Sequence, residues 1–121
     1  MKLAFFLAIA TVYAVAQRTY FSTTPAKLAA GYTHTHVSVV GKVTLAKREA
    51  DGDRHLRLSD FTSTDKFIVA ECLPEMQLTC PSVKVGNCVE VKGIARHDAE
   101  HKWNEVHPVE AIKVVPCARV R

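Results

Sequence analysis

The sequence predicts a single all-β domain built as a small five-stranded barrel, and three observations support this. Apolar and polar residues alternate from residue 37 to residue 45, with the period of two that marks a half-buried strand. Gly41 and Gly93 interrupt the first and fourth predicted strands, where a barrel needs its strands to bend. The predicted strands are too few for a sandwich of six or seven, and 121 residues correspond to one domain.

The first two strands form a hairpin over residues 37–58. The inward face of the first strand is predicted to carry Val37, Val39, Val43 and Leu45. Asp51 and Gly52 supply the turn, since this dipeptide favours the positive φ angles of a tight hairpin. Leu56 and Leu58 then resume the alternation, which predicts that the second strand shares the same core.

Three more strands follow the hairpin. The third covers residues 66–71, with a continuous apolar run that indicates burial on both sides, and the fourth covers residues 88–96. A short helical turn after Pro74 is predicted between them. The fifth strand spans residues 103–115 and contains Pro108, which cannot donate to a ladder and therefore predicts an edge or a bulge there.

The amino terminus predicts export. Residues 1–16 combine a positive start at Lys2, an apolar run and small residues before Gln17, which is the pattern of a cleaved signal peptide. We therefore expect a secreted or periplasmic protein without integral membrane association after cleavage. The predicted organisation is a signal peptide at 1–16, a flexible leader at 17–33, the barrel at 34–117 and a tail at 118–121.

The chain has four cysteines, an even number that predicts disulfides in an exported protein. Zinc ligation by sulfur is disfavoured because no two cysteines have the close spacing of a zinc site. Three pairings are open for the four residues, which are Cys72, Cys80, Cys88 and Cys117.

The order of strands, glycines and loops resembles the OB-fold, a partly open Greek-key barrel with a short helix between the third and fourth strands. The segment Trp103-Asn104-Glu105-Val106-His107-Pro108-Val109 is similar to a Trp-x-Glu-aliphatic-His-Pro-Val signature in small exported bacterial OB-fold proteins that are uncharacterised. The resemblance implies a last strand parallel to the third, which favours a Cys72–Cys117 disulfide with Cys80–Cys88. Cys72–Cys80 with Cys88–Cys117 is the next pairing.

The OB-fold places its ligand between the loop joining strands one and two and the loop joining strands four and five, and both loops are charged here. Our principal hypothesis is a non-catalytic module that presents them to an anionic ligand, a nucleic acid or an acidic oligosaccharide, with the tryptophan as stacking platform. The simpler alternative is that these loops are only solvated hairpin ends. The candidate ligand-binding residues are Arg48, Arg54, Arg57, Arg96, Lys102, Trp103, Glu105 and His107.

A second hypothesis is metal binding, with or without hydrolytic activity, because carboxylates and histidines of the same two loops suit zinc, copper or nickel. Its candidate ligands are Asp51, Asp53, His55, His97 and His101. No zinc-protease motif, nucleophilic elbow or phosphate-binding glycine loop is present, so no other cofactor is expected. A third hypothesis is a structural module that presents the strand interrupted at Pro108 to a protein partner.

Overall fold

The computed structural model describes residues 19–73 and 83–120. Their elements, in chain order, are β1 (Phe21–Thr23), α1 (Pro25–Ala30), β2 (His36–Arg48), β3 (Arg54–Ser59), β4 (Phe67–Cys72), β5 (Cys88–Asp98), β6 (Trp103–Pro108), β7 (Lys113–Val115) and a 3₁₀ helix (Cys117–Arg119). No helix within these two ranges is long and apolar enough to cross a membrane.

Five of the strands close into a barrel in the order β2-β3-β4-β6-β5, and β5 pairs back onto β2. All of these pairings are antiparallel except that of β4 with β6, which is parallel. The interior is a cluster of aliphatic side chains such as Leu56, Ile68 and Val91, each fully buried. The predicted all-β, five-stranded barrel is therefore confirmed, as is the predicted parallel neighbour of the third barrel strand.

The bend in β2 lies beside Gly41, as predicted. The first half of β2 pairs with β5, the second half pairs with β3, and Lys42 is the residue that pairs with both. A side chain at Gly41 would lie 2.8 Å from Cγ of Pro25 and 3.2 Å from Cβ of Leu58. Glycine at this position therefore lets α1 approach the strand closely where the strand changes partners.

The register of β2 differs from the prediction at Leu45. The pairing of β2 with β3 shifts between Val43 and Leu45, which is the sign of a β-bulge. The bulge reverses the alternation, so Leu45 is 43% exposed, while Ala46 packs against the core. The inward assignment of Leu45 was wrong because an extra residue in one strand leaves no mark on the apolar pattern.

Gly93 lies at a second close approach, between β5 and β6. A Cβ atom here would overlap the carbonyl group of His107 and lie 2.9 Å from Cγ1 of Val106. The residue pairs with Val37 on one side and Pro108 on the other, so it is held between two strands. The absence of a side chain is what allows the sheet to curve around this point.

The segment predicted as a flexible leader contains β1 and α1. β1 pairs with β2 in parallel, and α1 begins with the hydroxyl of Thr24 accepting a hydrogen bond from the backbone N–H of Lys27. Leu28 of α1 is 1% exposed and belongs to the core, while the side chain of Asn104 donates to the Leu28 carbonyl. Residues 21–30 are thus an integral part of the domain.

The carboxyl-terminal region is bound to β5. β6 ends at Pro108 and β7 follows as a short strand paired with the start of β5, so the single last strand predicted over residues 103–115 was wrong. A disulfide joins Cys88 to Cys117, so the favoured Cys72–Cys117 pairing was wrong and one bond of the alternative is confirmed. Barrel closure brings the last strand beside β4, but the chain then crosses to β5 before it reaches Cys117.

Three sequence predictions lie outside the described residues. These are the signal peptide at 1–16, the helical turn after Pro74 and any bond made by Cys80. Cys72 is itself disulfide-bonded. Of the predicted tail, Arg119 forms an ion pair with Glu90, and Val120 is buried.

Candidate functional site

A cleft of about 330 Å³ lies on the outer face of the barrel, over β3, β4 and β6 and beside the end of β2. Its floor is apolar and its walls are aromatic and cationic. The residues that line it are Leu45, Lys47, Glu49, His55, Arg57, Val69, His101 and Trp103. We call this the strand-face cleft.

Aromatic rings form one wall of the strand-face cleft. The imidazole of His101 stacks on the indole of Trp103 with centroids 4.4 Å apart and an interplanar angle of 4°. His55 meets the same indole edge-on at 5.9 Å, and Phe67 does so at 6.1 Å. These contacts fix the indole in one orientation. They bring together residues from β3, β4, β6 and the β5–β6 loop.

Arg57 supplies a cation beside these rings. Its guanidinium lies over the Phe67 ring, 3.9 Å from the centroid, in a cation–π arrangement. Its Nε atom is buried and has no hydrogen-bond partner among the described residues. A buried donor without an acceptor costs about 1–3 kcal/mol.

The bulge in β2 contributes the opposite wall. Because the alternation reverses after Val43, Leu45 and Lys47 point outward to the cleft instead of into the core. Lys47 Nζ lies 3.7 Å from Oε1 of Glu49, an exposed ion pair of the kind that contributes little to stability. The lysine is therefore available to a phosphate at small cost.

Glu71, Glu105 and His107 form a carboxyl–imidazole cluster next to the cleft. His107 Nε2 lies 3.4 Å from Oε2 of Glu71 and 3.4 Å from Oε1 of Glu105. The indole N–H of Trp103 donates to Oε2 of Glu105 at 3.0 Å. β4 and β6 run parallel here, which places the two carboxyl groups side by side. The cluster is thus bonded directly to the ring that forms the cleft wall.

The cluster shifts the pKa of each of its members. Burial and then the neighbouring charge of Glu105 raise the pKa of Glu71 to about 7. Burial also acts to raise the pKa of Glu105, but hydrogen bonds from His107, Trp103 and Glu71 outweigh it and leave this pKa below its usual range. The hydrogen bond to Glu105 raises the pKa of His107. One proton is therefore shared between two adjacent carboxyl groups.

A separate acidic pocket of about 480 Å³ lies where the two charged loops meet. Its lining has six carboxylates and two histidines and no lysine or arginine: Glu49, Ala50, Asp51, Asp53, His55, Glu71, Asp98, Glu100 and His101. This charge repels an anion. The ends of the two loops, taken alone, therefore do not form the cationic rim that the sequence suggested, and the cationic side chains of the cleft lie on the strands below them.

The predicted ligand-binding residues fall into four groups. Arg57 and Trp103 line the strand-face cleft, and Glu105 and His107 belong to the adjoining cluster. Arg54 is turned away, with its guanidinium donating to the carbonyl of Val83 at 2.6 Å. The rest are exposed and lie outside the cleft lining: Arg48 at the end of β2, Arg96 on β5, and Lys102 at a turn position with φ of 61°.

The predicted metal ligands are only partly brought together. Asp53 and His55 meet Glu71, with ligand atoms within 4.8 Å of one another, and Glu71, Glu105 and His107 form a second such group. Asp51 instead accepts from the backbone N–H of Asp53 in the turn. His97 Nδ1 lies 2.8 Å from Oδ1 of Asn104, and His101 Nδ1 lies 2.9 Å from Oδ2 of Asp98. The five predicted ligands therefore do not converge on one point, and we assign no metal to them.

The sequence analysis missed Lys47, Phe67, Val69 and Glu71 as site residues. Phe67 was assigned to a run buried on both sides, yet it is half-exposed at the start of β4. A signal was available, because Phe67, Val69 and Glu71 share one parity on the third strand of a barrel whose ligand face includes that strand. Once Ile68 and Ala70 are assigned to the interior, the alternation places Phe67, Val69 and Glu71 together on the outer face of this strand.

Comparison with solved structures finds the same fold elsewhere. An Entamoeba histolytica asparaginyl-tRNA synthetase matches with a TM-score of 0.57 and 16% identity over 82% of this chain, and the match spans 24% of the synthetase. A small single-stranded DNA-binding protein from Streptomyces coelicolor matches with a TM-score of 0.47 and 17% identity, over 69% of this chain and 96% of that protein. At 16% identity, the likeness to the synthetase shows the fold alone.

No protein-family model and no curated protein matches the chain. The OB-fold resemblance is supported by the closed barrel and by the structural comparison. The resemblance of residues 103–109 to an exported family stays a prediction.

Proposed function

We propose that the protein is a non-catalytic OB-fold module that binds single-stranded nucleic acid in the strand-face cleft. The observation that carries the proposal is the combination of a fixed indole and the Arg57 guanidinium in the lining of one cleft, with the Phe67 ring in contact with both. Bases stack on such rings with little dependence on sequence, and cations beside them take the phosphates. The proposal moves the site from the loop ends, which are acidic, to the strand face.

The dimensions of the cleft favour a short segment of one strand. Two aromatic positions, Trp103 with His101 and Phe67 with Arg57, lie 6.1 Å apart at the Trp103–Phe67 centroids. Two stacking positions correspond to about two bases, which is below the range of a whole OB-fold site. Lys47 and Arg57 are the cations of the lining, so we expect a salt slope of roughly −1.4 in log K against log salt.

The test is a titration of the purified, oxidised chain with a fluorescein-labelled single-stranded oligothymidylate, followed by anisotropy at several salt concentrations. The substitution Trp103→Ala is expected to weaken binding by roughly fivefold to a hundredfold, as the loss of one stacked base does. Phe67→Ala removes the second ring and is expected to act in the same direction. Arg57→Ala is expected to weaken binding and to reduce the salt slope by about 0.7.

Matched controls come from elsewhere on the barrel. Phe61 is also an exposed aromatic residue beside a cation, Lys42, but it lies outside the cleft lining, so Phe61→Ala should leave affinity within about twofold. Lys113→Ala on β7 makes the same change of charge as Lys47→Ala at a distant position. Equal losses in cleft and control variants would contradict the proposed site.

The same assay distinguishes the other hypotheses. An acidic oligosaccharide that binds where the oligothymidylate does not would replace nucleic acid as the ligand. A folded protein that binds neither polyanion would contradict the proposed function and leave the structural module. Export to the periplasm or the medium stays a prediction from residues 1–16, and the mass of the amino terminus of the mature protein would test it.

A further inference from the structure

The carboxyl–imidazole cluster is connected to the strand-face cleft by two contacts. Glu105 accepts the indole N–H of Trp103, so the position of this carboxylate sets the position of the ring. Glu71 lies 3.9 Å from Nε2 of His55, and the His55 ring meets the same indole edge-on. Both carboxyl groups of the cluster are thus in contact with groups that line the cleft. A change in the charge of these carboxyl groups therefore acts directly on the residues that line the cleft.

Glu71 is surrounded by charged groups from every neighbouring element. β3 and its turn contribute His55 and Asp53, and β6 contributes Glu105 and His107. Farther out, Glu49 at the end of β2 lies 3.4 Å from Nδ1 of His55. Arg96 of β5 acts on His107, and Asp98 acts on Glu105. Carboxylates outnumber cations around Glu71, so a proton is retained there more strongly than on an isolated glutamate.

We propose that Glu71, Glu105 and His107 form a proton-sensitive control of nucleic-acid binding. In this control, loss of the proton that the two carboxyl groups share lowers the affinity of the cleft for a polyanion. This inference rests on the proposed function of the same cleft. Glu71 acts here as a positioning residue, since it reaches the cleft through Glu105 and His55. The proton it releases passes to solvent, and no other reactant is required.

Two physical effects give the direction. When both carboxyl groups are ionised they repel each other, and Glu105 can no longer keep its place between Trp103 and Glu71. The added negative charge also lies close to where phosphates of the ligand would bind. Both effects lower affinity as pH rises. The raised pKa of Glu71, about 7, places this change near neutral pH.

The experiment measures binding of the oligothymidylate at pH 6 and pH 8, at constant ionic strength and with EDTA present, so that no metal ion contributes. We expect the wild-type affinity to fall roughly fivefold between these values, as one added charge near a phosphate predicts. Glu71→Gln keeps the shape of the side chain but cannot ionise. The affinity of this variant should therefore change less than twofold between pH 6 and pH 8. In the free protein, the fluorescence of the single tryptophan should show a transition near pH 7 that Glu71→Gln abolishes.

Two histidine variants separate this effect from other titrations. His101→Phe removes the imidazole stacked on Trp103, whose pKa is raised by Asp98, and should retain the pH dependence. His34→Gln removes an exposed histidine outside the cleft lining, stacked on Phe21, and should behave as the wild type. If His101→Phe flattens the profile, or Glu71→Gln retains it, the proposed control is wrong.

The outcomes also separate the two proposals. Binding with the same pH profile in wild type and Glu71→Gln overturns the control alone. Failure of a folded wild type to bind at either pH overturns the proposed function and this control with it, whereas a tryptophan transition lost in Glu71→Gln would still establish that the cluster titrates.

Discussion

Glu71→Gln is expected to reduce the pH dependence of stability that the carboxyl–imidazole cluster imposes. The pKa of Glu71 is raised from 4.5 to about 7, so the native state binds this proton more tightly than the unfolded state. Stability is then lost as pH rises through this interval. The raised pKa of His107 acts in the same direction, and the lowered pKa of Glu105 acts only below pH 4.5.

The magnitude follows from the shift. A difference of 2.5 units, from 4.5 to about 7, corresponds to at most about 3 kcal/mol. The Glu71 side chain is 16% exposed and solvent reduces the effect, so we expect about 1–2 kcal/mol. Glutamine cannot ionise and avoids this loss. At pH 8 the variant should therefore be as stable as the wild type or more stable.

The assay is urea unfolding followed by tryptophan fluorescence at pH 5.5 and pH 8.0. The free energy of unfolding of the wild type should fall between these values, and the fall should be smaller in Glu71→Gln by about 1 kcal/mol, because part of the interval from 4.5 to about 7 lies below pH 5.5. Comparing the two proteins cancels the contribution of His101, whose raised pKa is common to both. An equal fall in both proteins would refute the assignment of the shared proton to this carboxyl pair.

Three further predictions concern the barrel. Gly93→Ala should destabilise the protein by about 2–4 kcal/mol in urea unfolding, because its Cβ overlaps the backbone of His107; a change below 0.5 kcal/mol would contradict the close approach. Leu28→Ala should cost about 2–4 kcal/mol by the same measurement if α1 fills the core, and less than 1 kcal/mol if it does not. Replacing both Cys88 and Cys117 by serine should cost about 2–4 kcal/mol and shift thermal unfolding downward, whereas an unchanged midpoint would show that the bond adds no stability.

Local pattern was sufficient to predict most of the barrel. Alternation identified the inward valines of the first and fourth predicted strands, and Val37, Val39, Val89 and Val91 are all fully buried. Glycine inside a strand marked both positions where strands bend or approach. Proline marked the end of β6. These features are local consequences of backbone geometry, so a single sequence displays them.

The features that were missed depend on contacts between distant parts of the chain. The bulge that exposes Leu45 is a property of the β2–β3 pair and not of β2 alone. A turn of helix was expected at residues 27–30, but not the packing of α1 into the core, which depends on Leu28 and on Asn104, far along the chain. The Cys88–Cys117 bond follows from the return of β7 to β5, which no spacing between cysteines reveals.

The site was predicted in part for the same reason. Trp103 and Arg57 were identified because a lone tryptophan and the basic residues of one hairpin are visible in sequence. The acidic charge where the two loops meet was not predicted, because six acidic residues scattered along the chain converge only after folding. Arg54 was assigned to the ligand but bonds to the carbonyl of Val83.

The parallel pairing of β4 with β6 has a dynamic consequence. It joins the barrel at two residue pairs, Val69 with Glu105 and Ala70 with Val106, whereas β3 and β4 are joined at six. Local openings with the lowest free energy should occur at such a seam, and its backbone amides should exchange with deuterium sooner than those between β3 and β4. Phe67 and Trp103 lie on opposite sides of the seam. A ligand stacked on both rings would make these local openings rarer and slow the deuterium exchange of the amides between β4 and β6.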